Sequence, residues 1–250
     1  MALRIRLFLS HLAISALVIG TSIGLIIFCW YRPPLAQIEG ILEVLLVMAC
    51  VDVGAGPLCT LVAASPKKTR AELTRDLAII ASVQLLALGY AVYTTCIARP
   101  AFIVYGEGRF VITHANELRS EELAKASSDQ YLHAPLLGPA YVALKFPEDP
   151  KEMDKILGAT FSGGPAIKEM PRFYQPWPQG AADIREKAKS LASLPAQSPL
   201  RAAAMKILDA NSVAPSEALL TPISGKVAQG TVVVRTSDLA ILGIIPYLAP

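Results

Sequence analysis

Three long apolar runs fill the first hundred residues, and beyond Pro100 the pattern changes to short alternations. The runs extend from Leu7 to about Tyr31, from about Ile41 to Ala64, and from about Leu77 to Ala98. Each approaches or exceeds the roughly 20 residues with which an α-helix crosses a hydrocarbon core of about 30 Å. The first run has a second reading as a cleavable signal peptide. Its apolar stretch exceeds the about 7–15 residues of such a segment, and Trp30-Tyr31-Arg32 is not a small-residue cleavage site. It reads as an uncleaved span, with Trp30 and Tyr31 as interfacial anchors.

After Pro100, "AFIVY" and "RFVIT" flank Gly106-Glu107-Gly108 and predict a β-hairpin. "HANELRSEELAKAS" suits a helix, with Asn116 as a candidate cap and Leu118 and Leu123 as its apolar positions. "AYVALKF" predicts a strand, and "DPKEMDKILGATF" a helix with Pro150 near its start. A loop rich in Pro, Gly and aromatics follows, then helices at "ADIREKAKSLAS" and "SPLRAAAMKILDAN". "EALLTPI", "GTVVVRT" and "LAILGIIPYL" close as an antiparallel meander. The expected architecture is three N-terminal transmembrane helices (residues 1–99) and an α+β domain (residues 100–250) with a mainly antiparallel sheet.

The second span carries the residues least expected in lipid. Asp52 lies twelve residues from Ala64, near mid-depth, where a charge costs about 2.5–3.5 kcal/mol on insertion scales. It is either a contact point or an interhelical hydrogen bond made by a protonated carboxyl. A proton relay would need a second acid or base at that depth. At 1.5 Å per residue, Ser15 and Ser22 of the first span fall within about a turn of Asp52. Gln84 lies a turn or two away, and His11 about 10 Å off, so no direct His11–Asp52 pair is expected. Gly54 and Gly56 allow close approach of a helix. Pro57 frees the Val53 carbonyl in an α-helix and should kink the span, while Thr60 can bond back to Gly56. The group reads as a helix-docking notch, for a helix of this chain or of another protein.

Composition adds little: 53% of residues are hydrophobic and the net charge is +3, with no basic patch to suggest nucleic acid. Charge placement adds more. Arg4, Arg6, Lys67, Lys68, Arg70 and Arg75 flank one side of the three runs, against Arg32 and Arg99 on the other. The N-terminus and the 65–76 loop should therefore be cytoplasmic and the C-terminal domain outside. Cys29, Cys50, Cys59 and Cys96 all lie in or beside the spans without metal spacing, and read as small apolar packers. No nucleophile elbow, zinc motif, phosphate loop or dinucleotide fingerprint occurs, so neither an enzyme nor a cofactor or metal site is expected. Phe173, Tyr174 and Trp177, in the proline-framed stretch Met170–Pro178, form either a recognition surface or a plug of the domain core.

Taken in order, several stretches resemble the type IV pilin accessory protein family of the TfpX/TfpZ type. They are "HLAIS", "FCWYRPPL", "VDVGAGPLCTLVAASPKK", "DLAIIASVQLLALGYAVYT", "ARPAFIVY", "LLGPAYVA" and "GIIPYL". The resemblance covers nearly the whole chain, most strongly residues 8–105. It implies a bacterial inner-membrane protein with a periplasmic C-terminal domain, whose partners are the surrounding lipids and a type IV pilin that it stabilises or presents for assembly. A sensor or transport subunit of a larger complex, and a membrane redox enzyme, are the alternatives.

Overall fold

The computed structural model describes residues 2–180 and 183–247. These residues divide into two compact units, one of residues 2–30 and 40–97, the other of residues 31–39, 98–180 and 183–247.

In the first unit, three helices are long and apolar enough to cross a membrane. They are α1 (Ala2–Cys29), α2 (Ile41–Ala63) and α3 (Arg70–Ile97). Helix α3 begins seven residues before the apolar run that marked it, because Thr69 and Glu72 form a capping box. The Thr69 N–H donates to Glu72 Oε2 at 2.8 Å, and the Glu72 N–H to Thr69 Oγ1 at 3.3 Å. Lys68 closes the preceding loop by donating to the Ala63 carbonyl at 2.8 Å and pairing with Asp76 at 2.6 Å. Cys29 and Cys96 are half-buried, whereas Cys50 and Cys59 face outward.

The second unit is an eight-stranded sheet: β1 (Pro100–Gly106), β2 (Arg109–His114), β3 (Ala140–Leu144), β4 (Tyr174–Pro176), β5 (Lys189–Ser190), β6 (Ala218–Ser224), β7 (Gln229–Arg235) and β8 (Ile241–Pro246). The order is β4-β3-β1-β2-β6-β7-β8, with β5 also on β6. The expected hairpin forms, turning through Glu107 and Gly108, both at positive φ as a two-residue hairpin turn requires. The closing meander β6-β7-β8 forms as well; Leu248, the last residue of its sequence run, lies outside the described residues.

The sheet as a whole is mixed, which corrects the mainly antiparallel expectation. β3 pairs parallel to β1, and β6 parallel to β2. In both cases a long excursion brings the chain back in the same direction, which a hairpin cannot do. Both sheet faces are covered, so "AFIVY" in β1 is buried along its whole length instead of alternating. Ile103 and Tyr105 point into one core with Phe110 and Trp177, while Phe102 and Val104 join Tyr131 and Tyr174 in another.

Of the expected helices, two are whole. Helix α4 (Pro150–Phe161) is capped by Asp149, which accepts from the Lys151 N–H at 2.9 Å. Helix α5 (Pro199–Ala210) covers Val233 and Ile245. The other two break into short turns. "HANELRSEELAKAS" becomes a 3-10 turn (Ala115–Glu117) and a helical turn (Ser120–Leu123), with His114 rather than Asn116 at the start. "ADIREKAKSLAS", whose Ala182 lies outside the described residues, keeps one turn (Ile184–Lys187) before β5.

The connection between α1 and α2 belongs to the sheet domain. Leu35 and Ile38, on a helical turn (Leu35–Ile38), lie in the same core as Phe110 and Val232. A Cβ at Gly225 would run into Ile38, and one at Gly230 into the Ile245 carbonyl beside it, so both positions need glycine. Tyr31 is likewise core, donating to the Ala98 carbonyl at 3.0 Å, and is not the lipid anchor that its sequence position suggested. Residues 31–39 and the C-terminal domain therefore share one side of any membrane the helices cross.

Candidate functional site

The middle of α2 is not α-helical. Cys50–Ala55 winds as a π-helical turn, in which the Gly56 N–H reaches back five residues to the Val51 carbonyl. In that register the N–H that Pro57 lacks would have bonded to Asp52, so the carbonyl left free is that of Asp52 and not of Val53. Helix α3 supplies the missing donor. Gln84 Nε2 donates to the Asp52 carbonyl at 3.0 Å and to Asp52 Oδ1 at 3.3 Å. Gly56 makes this possible, because a Cβ there would occupy the space of the Gln84 amide. Asp52, Gly56, Pro57 and Gln84 thus form one device: the proline frees a carbonyl, the glycine admits an amide, and the amide ties two helices.

The other sequence-selected residues divide around it. Thr60, expected to bond back to Gly56, instead meets His11 Nδ1 at 2.6 Å and joins α1 to α2. No His11–Asp52 hydrogen bond forms, as depth counting expected. Ser15 is buried beside Asp52. Ser22 returns its hydroxyl to its own helix, donating to the Val18 carbonyl at 2.9 Å. Gly54 has nothing within 4 Å of its Cβ position, so it receives no helix of this chain.

Asp52 and Gln84 form the floor of a cleft of about 180 Å³ between α1 and α3, walled by Ile14, Val18, Leu85 and Leu88. A second cleft of about 320 Å³ flanks Asp52 between α2 and α3, lined by Val44, Val51 and Ala91 among others. Gln84 Oε1 is buried without a hydrogen-bond partner among the described residues. No residue in the most apolar window of α3 is buried inside the protein, against a third of that in α2. Helix α3 is therefore pinned by its amide contact and open on either side of it.

We expect Asp52→Asn to preserve both hydrogen bonds from Gln84, and Asp52→Leu to keep the one to the backbone carbonyl and lose the one to Oδ1, weakening the bundle by about 0.6 kcal/mol. Thermal unfolding of the detergent-solubilised chain measures this. Equal loss in both variants would mean that the carboxylate charge is needed.

A second polar cluster, around Glu39 and His114, lies in the sheet domain. Glu39 Oε2, almost wholly buried, lies 2.5 Å from His114 Nε2, and the Lys226 N–H donates to Glu39 Oε1 at 3.3 Å. On the other side of the ring, Glu117 Oε2 stands 3.3 Å from His114 Nδ1 and accepts from Lys168 Nζ at 3.0 Å. Burial opposes a charged imidazole, but hydrogen bonds to Glu117 and Glu39 and their negative charges outweigh it and hold His114 up at about 9. Burial likewise opposes the Glu117 carboxylate, which its bonds to His114 and Lys168 hold down at about 2. The available signal was Glu39 itself, a carboxylate in an apolar connection directly before a span.

Tyr174 and Trp177 are core residues, which removes the aromatic loop as a recognition surface. Trp177 packs on Tyr105 and Phe110 with ring centroids at 5.2 and 4.9 Å, and its Nε1 donates to the Leu239 carbonyl at 2.8 Å. Tyr174 packs on Phe102 and donates to the Lys168 carbonyl. Only Phe173 stays partly open, under the Arg172 guanidinium. The prolines frame these rings because the segment seals one edge of the sheet through β4.

No protein-family model matches the chain, and no solved structure matches it. Among curated proteins, it is 28% identical over 182 residues to the fimbrial assembly protein, serogroup I, of Dichelobacter nodosus, spanning 73% of this chain and 70% of that protein. The serogroup E1 protein of the same organism gives the same identity and coverage. The protein of serogroups C1 and C2 is 31% identical over 116 residues, which are 46% of this chain and 88% of its own length.

Proposed function

Because the chain belongs to the family of fimbrial assembly proteins, we propose that it is an accessory factor of pilus biogenesis that stabilises or presents a type IV pilin. It acts by binding, from the bacterial inner membrane, with its N-terminus cytoplasmic and its sheet domain in the periplasm. The observation that carries this reading is the pair of clefts around Asp52. Their apolar walls and polar floor suit one further transmembrane helix, which a membrane-anchored pilin subunit would supply. Packing of that helix against the open flank of α3 would cover apolar side chains such as Leu85 and Leu86, which are exposed in this chain by itself.

Deleting the gene and measuring pilin abundance separately from pilus number tests the role. Loss of pilin itself is expected. Normal pilin with no pili would replace stabilisation by an assembly role, and normal pilin with normal pili would overturn both. A photo-crosslinker at Leu85, in the wall of the cleft, is expected to capture pilin when the two are co-expressed.

A further inference from the structure

Most large apolar side chains of the sheet domain are buried; the most exposed are Phe161 at the end of α4, at 90%, and three on loops, Leu136, Leu137 and Val227, at 71%, 73% and 66%. What holds the two loops in place is the same in both cases: residues that directly adjoin a span. Arg99 stands two residues past the end of α3. Its Nε donates to the Pro135 carbonyl at 2.9 Å and its Nη2 to the Ala134 carbonyl at 3.2 Å. The base of the Leu136–Leu137 loop is thereby fixed to the point where the chain leaves the third span.

The turn between β6 and β7 is fixed in the same way. The Val227 and Ala228 N–H groups both donate to the Ile38 carbonyl, at 3.2 and 3.1 Å, and the Lys226 N–H donates to Glu39. Ile38 precedes the start of α2 by three residues. Two or three residues of chain reach at most about 7–11 Å. The headgroup zone on each side of a bilayer is about 5–7 Å thick, half the difference between its full and hydrocarbon thickness. Two independent loops with exposed apolar tips are thus tied to residues two or three positions from the end of a long apolar helix, and Lys226 is exposed beside one of them.

We propose that the Leu136–Leu137 tip and the Lys226–Val227 turn form a two-point lipid contact that seats the sheet domain on the bilayer surface. The three apolar side chains enter the boundary between headgroups and acyl chains. Lys226 stays at the headgroup level, where anionic lipids attract it. The proposal rests on the reading of the three long helices as membrane spans.

The test uses the full chain with Cys29, Cys50, Cys59 and Cys96 replaced by alanine, reconstituted into vesicles of phosphatidylethanolamine and phosphatidylglycerol. Single cysteines at Leu136, Val227, Glu148 and Leu86 carry a polarity-sensitive fluorophore, and nitroxide lipids serve as quenchers. Glu148 lies past the far end of β3, about 16 Å of strand from the Leu136–Leu137 loop. Leu86 lies on the exposed face of α3. Labels at Leu136 and Val227 are expected to emit at shorter wavelength than the label at Glu148 and to be quenched by shallow nitroxides. The label at Leu86 should be quenched by deep ones. Leu136 and Val227 labels that behave like the one at Glu148 overturn the proposal while leaving the spans intact. A blue shift without lipid quenching means that protein covers the loops, and also overturns it. An unquenched Leu86 label overturns the membrane-spanning reading, and the proposal with it.

Discussion

Glu39→Ala is expected to destabilise the sheet domain by about 3–5 kcal/mol, the usual cost of removing one partner from a buried ion pair. The substitution leaves His114, itself 6% exposed, facing an empty space where a carboxylate stood 2.5 Å away. It also strips the acceptor from the Lys226 N–H in the β6–β7 turn. The effect should be strongly pH-dependent in the parent protein. His114 is held at about 9 against an ordinary value of 6.5, so its stabilisation is complete below about 6.5 and is lost as pH rises through about 9. Glu117, held at about 2 against 4.5, contributes above about 4.5 and loses its contribution as pH falls through about 2. The cluster thus gives most between about pH 4.5 and 6.5. Fluorescence of Trp177 reports the unfolding directly once Trp30, the other of the two tryptophans, is replaced by phenylalanine. A melting curve that does not change between pH 6 and 9, or a Glu39→Ala variant as stable as the parent, would contradict the buried pair. A related consequence concerns the isolated C-terminal fragment 98–250. It lacks both Glu39 and Ile38, so the fragment should melt below the full chain's sheet domain.

Trp177→Ala should cost about 3–5 kcal/mol as well, by a different route. The indole touches Tyr105 and Phe110 and supplies a hydrogen bond to the Leu239 carbonyl. Removing it opens a cavity and leaves that carbonyl unsatisfied. Leu239 is held at a φ of 60°, a left-handed conformation costly for leucine, so the loss should spread into the turn before β8. Trp177→Phe restores part of the volume but not the hydrogen bond, and should fall between. Phe173→Ala, which gives up partial burial and a cation–π contact with Arg172 at 4.8 Å, should cost far less. Limited proteolysis and thermal unfolding separate the three variants. If Trp177→Ala kept its stability and lost only pilin capture, the aromatic loop would be a recognition surface after all.

The three long helices were legible because each apolar run has the length and composition that would cross a hydrocarbon core, which a sequence reveals without any knowledge of the run's partners. The hairpin of β1 and β2, the closing meander and the helices at Pro150 and Pro199 were legible for a similar reason. Their signals, such as the glycines of Gly106-Glu107-Gly108 between two β-forming runs and Pro150 near a helix start, act within a few residues of themselves. Asp52 and Gln84 stood out because polar groups are conspicuous in an apolar run.

Only the tertiary structure decided what those groups meet. A strand's alternation names its faces and not its neighbours, so the parallel pairings of β1 with β3 and β2 with β6 depend on long excursions that carry no local mark. The proline arithmetic of an α-helix assigned the free carbonyl to Val53, while the π-helical turn moved it to Asp52, where Gln84 could reach it. The connection of residues 31–39 reads as a loop between two apolar runs, and its role appears only when Ile38 fills the space over Gly225 and Glu39 meets His114. Each of these contacts joins residues far apart in the chain, and a sequence records such distances only through the packing that removes them.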